Sequence, residues 1–70
     1  MTRRTLESKE HTYITADIRN VTAKAVLIFD GAKEVWIPLS QIEDPVTFNR
    51  GEIGVEIMMT TWIAKEKGLI

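Results

Sequence analysis

The chain has 70 residues, no cysteine, one histidine and a formal net charge of −1, so it supports one domain and excludes disulfides, thiolate zinc sites and cysteine nucleophiles. No apolar run approaches the ~20 residues that a membrane-spanning helix needs, and the N-terminal residues lack the apolar core of a signal peptide. The absence of cysteine is typical of cytosolic proteins. We therefore expect a single small cytoplasmic domain without a membrane segment.

The first element that the pattern predicts is a strand. Residues 1–11 are polar and lack an apolar period, which predicts a flexible tail ahead of one domain over 12–70. From Thr12 to Arg19, apolar residues alternate with polar ones, as expected for a strand with one buried face. Asn20 interrupts the alternation and indicates a bulge or a turn between two strands, although one long bent strand fits equally well.

A hairpin follows this strand. The dipeptide Asp30-Gly31 lies between two β-rich runs, which is a strong hairpin signal, because a type I′ turn needs a positive φ at both central residues. We predict antiparallel pairing of Ala23–Phe29 with Glu34–Ile37. Pro38 ends the second strand because proline lacks the N–H that a β-ladder requires.

Three further elements complete the predicted domain. The spacing of Leu39 and Ile42 suits one 3₁₀ turn, and the alternation over 53–59 predicts another strand. Thr60 or Thr61 can cap a short terminal helix. The predicted fold class is therefore α+β, mainly β, with three or four antiparallel strands in a small bent sheet, or in an SH3-like or OB-like half barrel, and one short C-terminal helix.

The side chains offer little for catalysis. His11 is the only histidine and falls in the polar tail, where we interpret it as a solvated residue rather than a member of a catalytic triad. A chain of this length has little room for the cleft that would desolvate one of two paired carboxylates. No glycine-rich phosphate loop or set of metal ligands occurs. We predict a non-enzymatic protein with no catalytic residue, no metal and no cofactor.

Binding surfaces remain as the expected source of function. Trp36 lies between Val35 and Ile37 and therefore faces the opposite side of its strand. It is either an exposed anchor for a partner or, in a closed barrel, part of the core. Trp62 is expected in the core, where it ties the helix to the sheet. Phe48 lies in a polar loop and is a candidate contact residue.

Charged residues form two opposing candidate sets. Acidic side chains either form a solvated edge or contact a basic partner, and they are Glu43, Asp44, Glu52 and Glu56. Residues 1–24 carry five basic and three acidic side chains, and the basic ones are Arg3, Arg4, Lys9, Arg19 and Lys24. Because cations bind phosphates, the basic set supports a nucleic-acid-binding alternative. A strand edge near 13–19 or 52–59 is a further candidate for pairing with a second copy as a homodimer.

Two stretches of the chain resemble a family of short, mostly uncharacterised proteins of bacteriophages and other bacterial mobile elements. They are KAVLIFDGAKEVWIPLSQIED at Lys24–Asp44 and TTWIAKEKGLI at Thr60–Ile70, which share with that family the pattern EVWIP-x-SQIED and a W-[IL]-A-x-EKGL end. Leu39 stands where the family pattern has a basic residue. The resemblance implies a protein acting in the cytoplasm of a bacterial host, where small phage proteins, anti-CRISPR proteins among them, commonly occupy the surface of a host protein.

The function that these observations favour is a non-enzymatic protein-binding module of phage type that inhibits a host complex. If the target handles nucleic acid, the acidic set can occupy a basic groove that otherwise accepts phosphate. The alternatives are a small nucleic-acid-binding accessory protein that uses the basic first third, and a structural homo-oligomeric subunit.

Overall fold

Four antiparallel strands and one short helix make up the part of the chain that the computed structural model describes, residues 10–43 and 48–70. In chain order the elements are β1 (His11–Val21), β2 (Ala25–Phe29), β3 (Glu34–Pro38), a 3₁₀ turn (Leu39–Gln41), β4 (Val55–Thr60) and α1 (Thr61–Glu66). The strands form one open sheet in the order β3-β2-β1-β4. The predicted α+β, mainly β fold with a short C-terminal helix is confirmed. Within these two ranges, no helix has the length and apolar character that crossing a bilayer requires.

The long first strand belongs to two halves of the sheet. Residues 11–16 of β1 pair with β4, and residues 17–21 pair with β2. The register shifts between Ile18 and Asn20, so Arg19 is the extra residue of a β-bulge. A bulge bends its strand and increases the local twist, which lets one strand serve both halves. The interruption at Asn20 is therefore a bulge within one bent strand and not a turn between two.

The start of β1 differs from the sequence prediction. His11 pairs with Thr60 of β4, so its assignment to a solvated tail is wrong. The carbonyl oxygen of Glu10 accepts a hydrogen bond from the backbone N–H of Thr61 at 2.9 Å. Pairing with β4 extends the strand toward the N-terminus, and the pattern of a single segment contains no information about its partner. The rest of the predicted tail, residues 1–9, lies outside the described residues.

The β1–β2 connection shortens the second strand. The Thr22 hydroxyl oxygen accepts hydrogen bonds from the backbone N–H groups of Lys24 and Ala25, at 3.3 and 3.0 Å. These bonds hold Ala23 and Lys24 in a turn, although we predicted both residues as part of the strand. Short polar side chains commonly compete in this way with the β-ladder for backbone hydrogen bonds. β2 begins at Ala25 instead of Ala23, and the predicted pairing with the following strand is otherwise confirmed.

An aspartate side chain closes the turn between β2 and β3. One carboxylate oxygen of Asp30 accepts hydrogen bonds from the backbone N–H groups of Ala32 and Lys33, at 2.8 and 2.9 Å. The Asp30 N–H donates to the Lys33 carbonyl oxygen at 3.1 Å, so the central residues are Gly31 and Ala32 rather than the predicted Asp30 and Gly31. Gly31 has a φ of +103°, a value that L side chains rarely adopt. The hydrogen bonds from Ala32 and Lys33 hold the pKa of Asp30 below its ordinary value.

After β3, the chain returns to the outer edge of β4. The predicted 3₁₀ turn over Leu39–Gln41 is confirmed, and Ile42 then forms an isolated β-bridge with Met59. The N–H of Glu43 donates to the Met58 carbonyl oxygen at 2.8 Å. Through these contacts, the chain that leaves β3 at one edge of the sheet packs along β4 at the other edge, without forming a full additional strand. The molecule is therefore a bent open sheet and not a closed barrel.

Apolar side chains from one face of the sheet, from Ile42 and Phe48 and from α1 form the core. The buried members are Ile14, Ala16, Ile18, Val26, Ile28, Ile37, Ile42, Phe48, Ile57, Met59, Ile63 and Ala64. No described polar or charged residue is buried. Burial of each large apolar side chain stabilises the fold by about 1.5–3 kcal/mol. The alternation predicted for β1 is thus confirmed at its inward positions.

β4 begins later than its alternating pattern predicts. Ile53 is 81% exposed and lies before the strand, which begins at Val55. Gly54 between them has a φ of +67°, and its N–H donates to the Asp17 carboxylate at 2.9 Å. A left-handed residue cannot continue an extended strand, so the chain changes direction here. Ile53 therefore does not share the inward face of Ile57.

The terminal helix is capped and docked by neighbouring residues. The Thr60 hydroxyl accepts a hydrogen bond from the Ile63 N–H at 3.2 Å, which confirms Thr60 as the N-cap. Ile63 and Ala64 are buried, whereas Trp62 is 58% exposed, so the expected core position of Trp62 is wrong. Consecutive helical residues lie about 100° apart around the axis, and a helix this short buries only one stripe.

Candidate functional site

A pocket of about 180 Å³ lies where β1, β4 and the segment after the 3₁₀ turn meet. Tyr13 of β1 pairs with Met58 of β4, and the Met58 carbonyl oxygen accepts the backbone N–H of Glu43. The three residues therefore lie side by side across neighbouring chain segments. Glu56 follows on the same face of β4, since strand residues two apart share a face. The lining residues are Tyr13, Ile42, Glu43, Phe48, Glu56, Ile57 and Met58.

The base of this pocket is apolar and its rim is polar. Ile42, Phe48 and Ile57 are buried, and they extend the hydrophobic core to the bottom of the pocket. Tyr13 is 61% exposed, and Glu43 and Glu56 are also exposed. An apolar base with a few polar groups at the opening is typical of small binding sites in proteins.

The rim carries negative charge that the described residues only partly neutralise. The His11 Nε2 atom lies 3.0 Å from a Glu43 carboxylate oxygen. The other ion pair among the described residues joins Arg19 to Glu34, so none of the described cations is paired with Glu56. Both glutamate side chains are exposed to solvent at the surface. The pocket consequently offers carboxylate acceptors to a cation that approaches from solvent.

The acidic candidates from the sequence separate into three groups. Glu43 and Glu56 both line the pocket. The Glu52 carboxylate accepts the backbone N–H of Asn49 at 3.0 Å, and its own carbonyl oxygen accepts the N–H of Ile18 at 2.8 Å. Glu52 therefore stabilises the 49–54 loop and does not line the pocket. Asp44 lies outside the described residues.

The two aromatic candidates, Phe48 and Trp36, lie in different environments. Phe48 is 7% exposed, so it forms the base of the pocket and is not a projecting contact residue. Trp36 is 41% exposed on the outer face of β3, because Ile37 takes the inward position and no element within residues 10–43 and 48–70 covers that outer face. The core alternative for Trp36 is therefore wrong. Trp36 does not line the pocket and belongs to a separate surface.

The basic candidates do not assemble into one described patch. Arg19 lies over the Phe29 ring, with its guanidinium carbon 4.6 Å from the ring centroid, and its Nε atom is 3.5 Å from a Glu34 carboxylate oxygen. Lys24 is exposed before the other end of β2, about 17 Å from Phe29 at the usual rise per strand residue. Three further cations lie outside the described residues, and they are Arg3, Arg4 and Lys9.

Beside the buried Ile42 and Ile57, Tyr13 and Met58 line the pocket without having been predicted as site residues. Both occupy outward positions of alternating strands, where an aromatic or long apolar side chain is a signal for a surface contact. Their proximity depends on the β1–β4 register, which pairs residues 45 positions apart. Local periodicity contains no information about this register. The sequence therefore indicates that each residue is a candidate contact but not that the two lie side by side.

The chain matches no protein-family model, no curated protein and no solved structure. The resemblance to bacteriophage proteins therefore stays a prediction. Across residues 10–43 and 48–70, no group of three or more histidine, aspartate and glutamate side chains is placed to hold a metal ion.

Proposed function

We propose that this protein is a non-enzymatic protein-binding module whose pocket receives a basic side chain from its partner. The observation that supports this proposal is the combination of a buried apolar base with two exposed carboxylates at the rim. Lysine and arginine have apolar stems and cationic heads, so they match both parts of such a site.

The individual contacts follow from this arrangement. The stem of the partner's side chain packs on Met58 and the apolar base, and its cationic head lies near Glu43 and Glu56. The exposed Tyr13 ring adds a face on which a guanidinium or ammonium group can stack. Each charged hydrogen bond of this kind contributes more than a neutral one, because the opposite charges of donor and acceptor add to the attraction.

A nucleic-acid-handling complex of a bacterial host is the partner class that we propose for this site. Such complexes present basic grooves to phosphates, and a small protein with exposed carboxylates on its surface can occupy the same groove. The resemblance to phage proteins favours inhibition as the consequence of binding, in the cytoplasm of the host. An anti-CRISPR type of activity is one form of this proposal.

The test combines capture with matched charge variants. The immobilised chain is exposed to a nuclease-treated bacterial lysate, and the captured protein is then purified and titrated against wild type, Glu43→Gln/Glu56→Gln and Glu66→Gln. We expect the double variant to weaken binding by about tenfold or more, since two charged hydrogen bonds are lost. Glu66→Gln removes an exposed carboxylate of α1 outside the pocket and should change affinity less than about twofold.

Two results would contradict the proposal. One is capture that disappears after nuclease treatment and reappears with added single-stranded DNA, which supports the nucleic-acid alternative instead. The other is an affinity that is the same for the double variant and wild type, because a partner that does not contact either carboxylate does not bind at this pocket.

A further inference from the structure

β3 provides an open edge of the sheet. It lies at one end of the strand order, while β4 at the other end is contacted by Ile42 and Glu43. Residues 11–16 of β1 pair with β4 and residues 17–21 pair with β2, so each part of β1 has a strand partner on one side. The edge predicted near 13–19 therefore stays a prediction, and the edge near 52–59 is partly occupied by the chain itself. Among the described residues, β3 has no backbone partner on its outer side.

The hydrogen-bond pattern identifies the backbone groups at this edge. Antiparallel pairs alternate between hydrogen-bonded and non-hydrogen-bonded positions. The bonds from Asp30 to Lys33 and from Leu39 to Lys24 define the hydrogen-bonded positions of the β2–β3 ladder. By alternation, Val35 and Ile37 bond to β2, whereas Glu34 and Trp36 direct their N–H and C=O groups outward. At Pro38 only the carbonyl oxygen is available, since proline has no N–H.

An apolar face adjoins the edge. Trp36 is directly opposite Leu27, Pro38 is opposite Ala25, and all four side chains lie on the face away from the core. Trp36 is 41% exposed and Leu27 is half-buried. The edge thus combines unpaired backbone donors and acceptors with a large aromatic side chain at the centre of a five-residue strand.

We propose that β3 pairs antiparallel with β3 of a second copy about a twofold axis at Trp36, which joins the two sheets into one of eight strands. In this register Trp36 exchanges two hydrogen bonds with Trp36 of the second copy, and each Glu34 N–H donates to the Pro38 carbonyl oxygen of the other chain. The two indole rings then meet on the outer face. The pairing is isologous, so it ends at two copies.

Charge distribution favours a second copy as the occupant. In this register Glu34 lies opposite Pro38 of the other chain, so no like charges face each other directly. Lys24 neighbours Ala25, the residue paired with Pro38, and it therefore lies at the end where Glu34 of the second copy arrives. A strand of five residues covers little area, so the dimer is weak, with a dissociation constant of about 10⁻⁵ to 10⁻³ M.

The test measures association against concentration. Sedimentation of wild type from about 10 µM to about 1 mM, which spans the expected affinity range, should show a reversible monomer–dimer equilibrium. Amide resonances of Glu34 and Trp36 should shift with concentration. Trp36→Ser should raise the dissociation constant about tenfold or more, whereas Trp62→Ser, which removes the exposed tryptophan of α1, should change it less than about twofold.

A second, backbone variant keeps the proposal testable if the Trp36 variant does not fold. Glu34→Pro removes an outward N–H while leaving the bonds between β3 and β2 in place, and it should also raise the dissociation constant about tenfold or more. Glu34→Ala is its matched control, because it removes the same carboxylate and retains the N–H. Circular dichroism of each variant verifies that the hairpin is folded.

Three results would overturn the proposal. The first is a monomer at every concentration. The second is a dimer that Glu34→Pro weakens no more than Glu34→Ala does. The third is a dimer that Trp62→Ser abolishes and Trp36→Ser does not. The pocket variant Glu43→Gln/Glu56→Gln should leave the dimer unchanged, so failure of this proposal is distinguishable from failure of the proposed function.

Discussion

The two halves of the sheet present different surfaces. On the β1–β4 side, Glu43 and the buried Phe48 lie beside the strands and produce a pocket with a negative rim. On the β2–β3 side, no described segment covers the face, and Trp36 remains exposed beside an open backbone edge. Both halves have the same alternation of inward apolar and outward residues. The difference shows that the chain after β3, rather than strand composition, decides where a pocket forms.

The largest expected effect tests whether the two halves are one cooperative unit. Ile28 of β2 is fully buried in the shared core, and Ile28→Ala should lower the free energy of unfolding by about 2–4 kcal/mol through lost burial and a residual cavity. Urea denaturation followed by tryptophan fluorescence and by circular dichroism measures this loss.

The control for that substitution is Ile53→Ala, which truncates an 81% exposed isoleucine and should change stability by less than about 0.5 kcal/mol. If the Ile28 variant gives different midpoints for the two probes, the halves unfold separately and the common core does not couple them.

An intermediate effect is expected on the pocket side alone. Thr60 caps α1 through the Ile63 N–H, and its hydroxyl donates to the Gln41 side-chain oxygen at 2.8 Å. Thr60→Ala should lower the free energy of unfolding by about 1–2 kcal/mol, because a helix cap and a second hydrogen bond are lost together. Thermal denaturation measures it, with Thr60→Ser as the control that keeps the hydroxyl. A serine variant as unstable as the alanine variant would show that the methyl group, and not the cap, is responsible.

The smallest effect is a pH dependence on the hairpin side. The backbone bonds from Ala32 and Lys33 lower the pKa of Asp30 in the folded state, so its contribution to stability is fully present above the unfolded pKa of ~3.9 and is lost as the pH falls through the lower folded value. Asp30→Asn should therefore be less stable than wild type at neutral pH, and the difference should shrink in acid.

Denaturation of both proteins from neutral to acidic pH measures this dependence, and the comparison cancels the titration of the other carboxylates. Glu66→Gln, at an exposed position with no described ion pair, is the control. A difference between wild type and Asp30→Asn that stays constant with pH would show that the charge of Asp30 does not stabilise the turn.

The site could be predicted only in part. Glu43 and Glu56 were recognised as acidic contacts, and the structure brings them to one pocket, but Glu52 is engaged by the Asn49 N–H in a different loop. The polar neighbours of Phe48 predict an exposed contact residue, yet burial depends on what packs over a loop rather than on adjacent residues. The exposure of Trp36 and Trp62 depends on whether another element packs over them, and none of the described elements does so.

The sequence by itself determined the local elements of this protein. Alternation defined the inward residues of β1, the Asp30-Gly31 pair located the hairpin, Pro38 ended β3, and a threonine hydroxyl capped the helix. These features depend on backbone conformation and on neighbours within a few residues. Tertiary structure alone decided that β1 is one bent strand shared by two halves, that residues after the 3₁₀ turn reach β4, and that β3 is an open edge. Those outcomes depend on pairing between distant segments. A local pattern is compatible with several pairing registers, and only the packing of the whole core selects one of them.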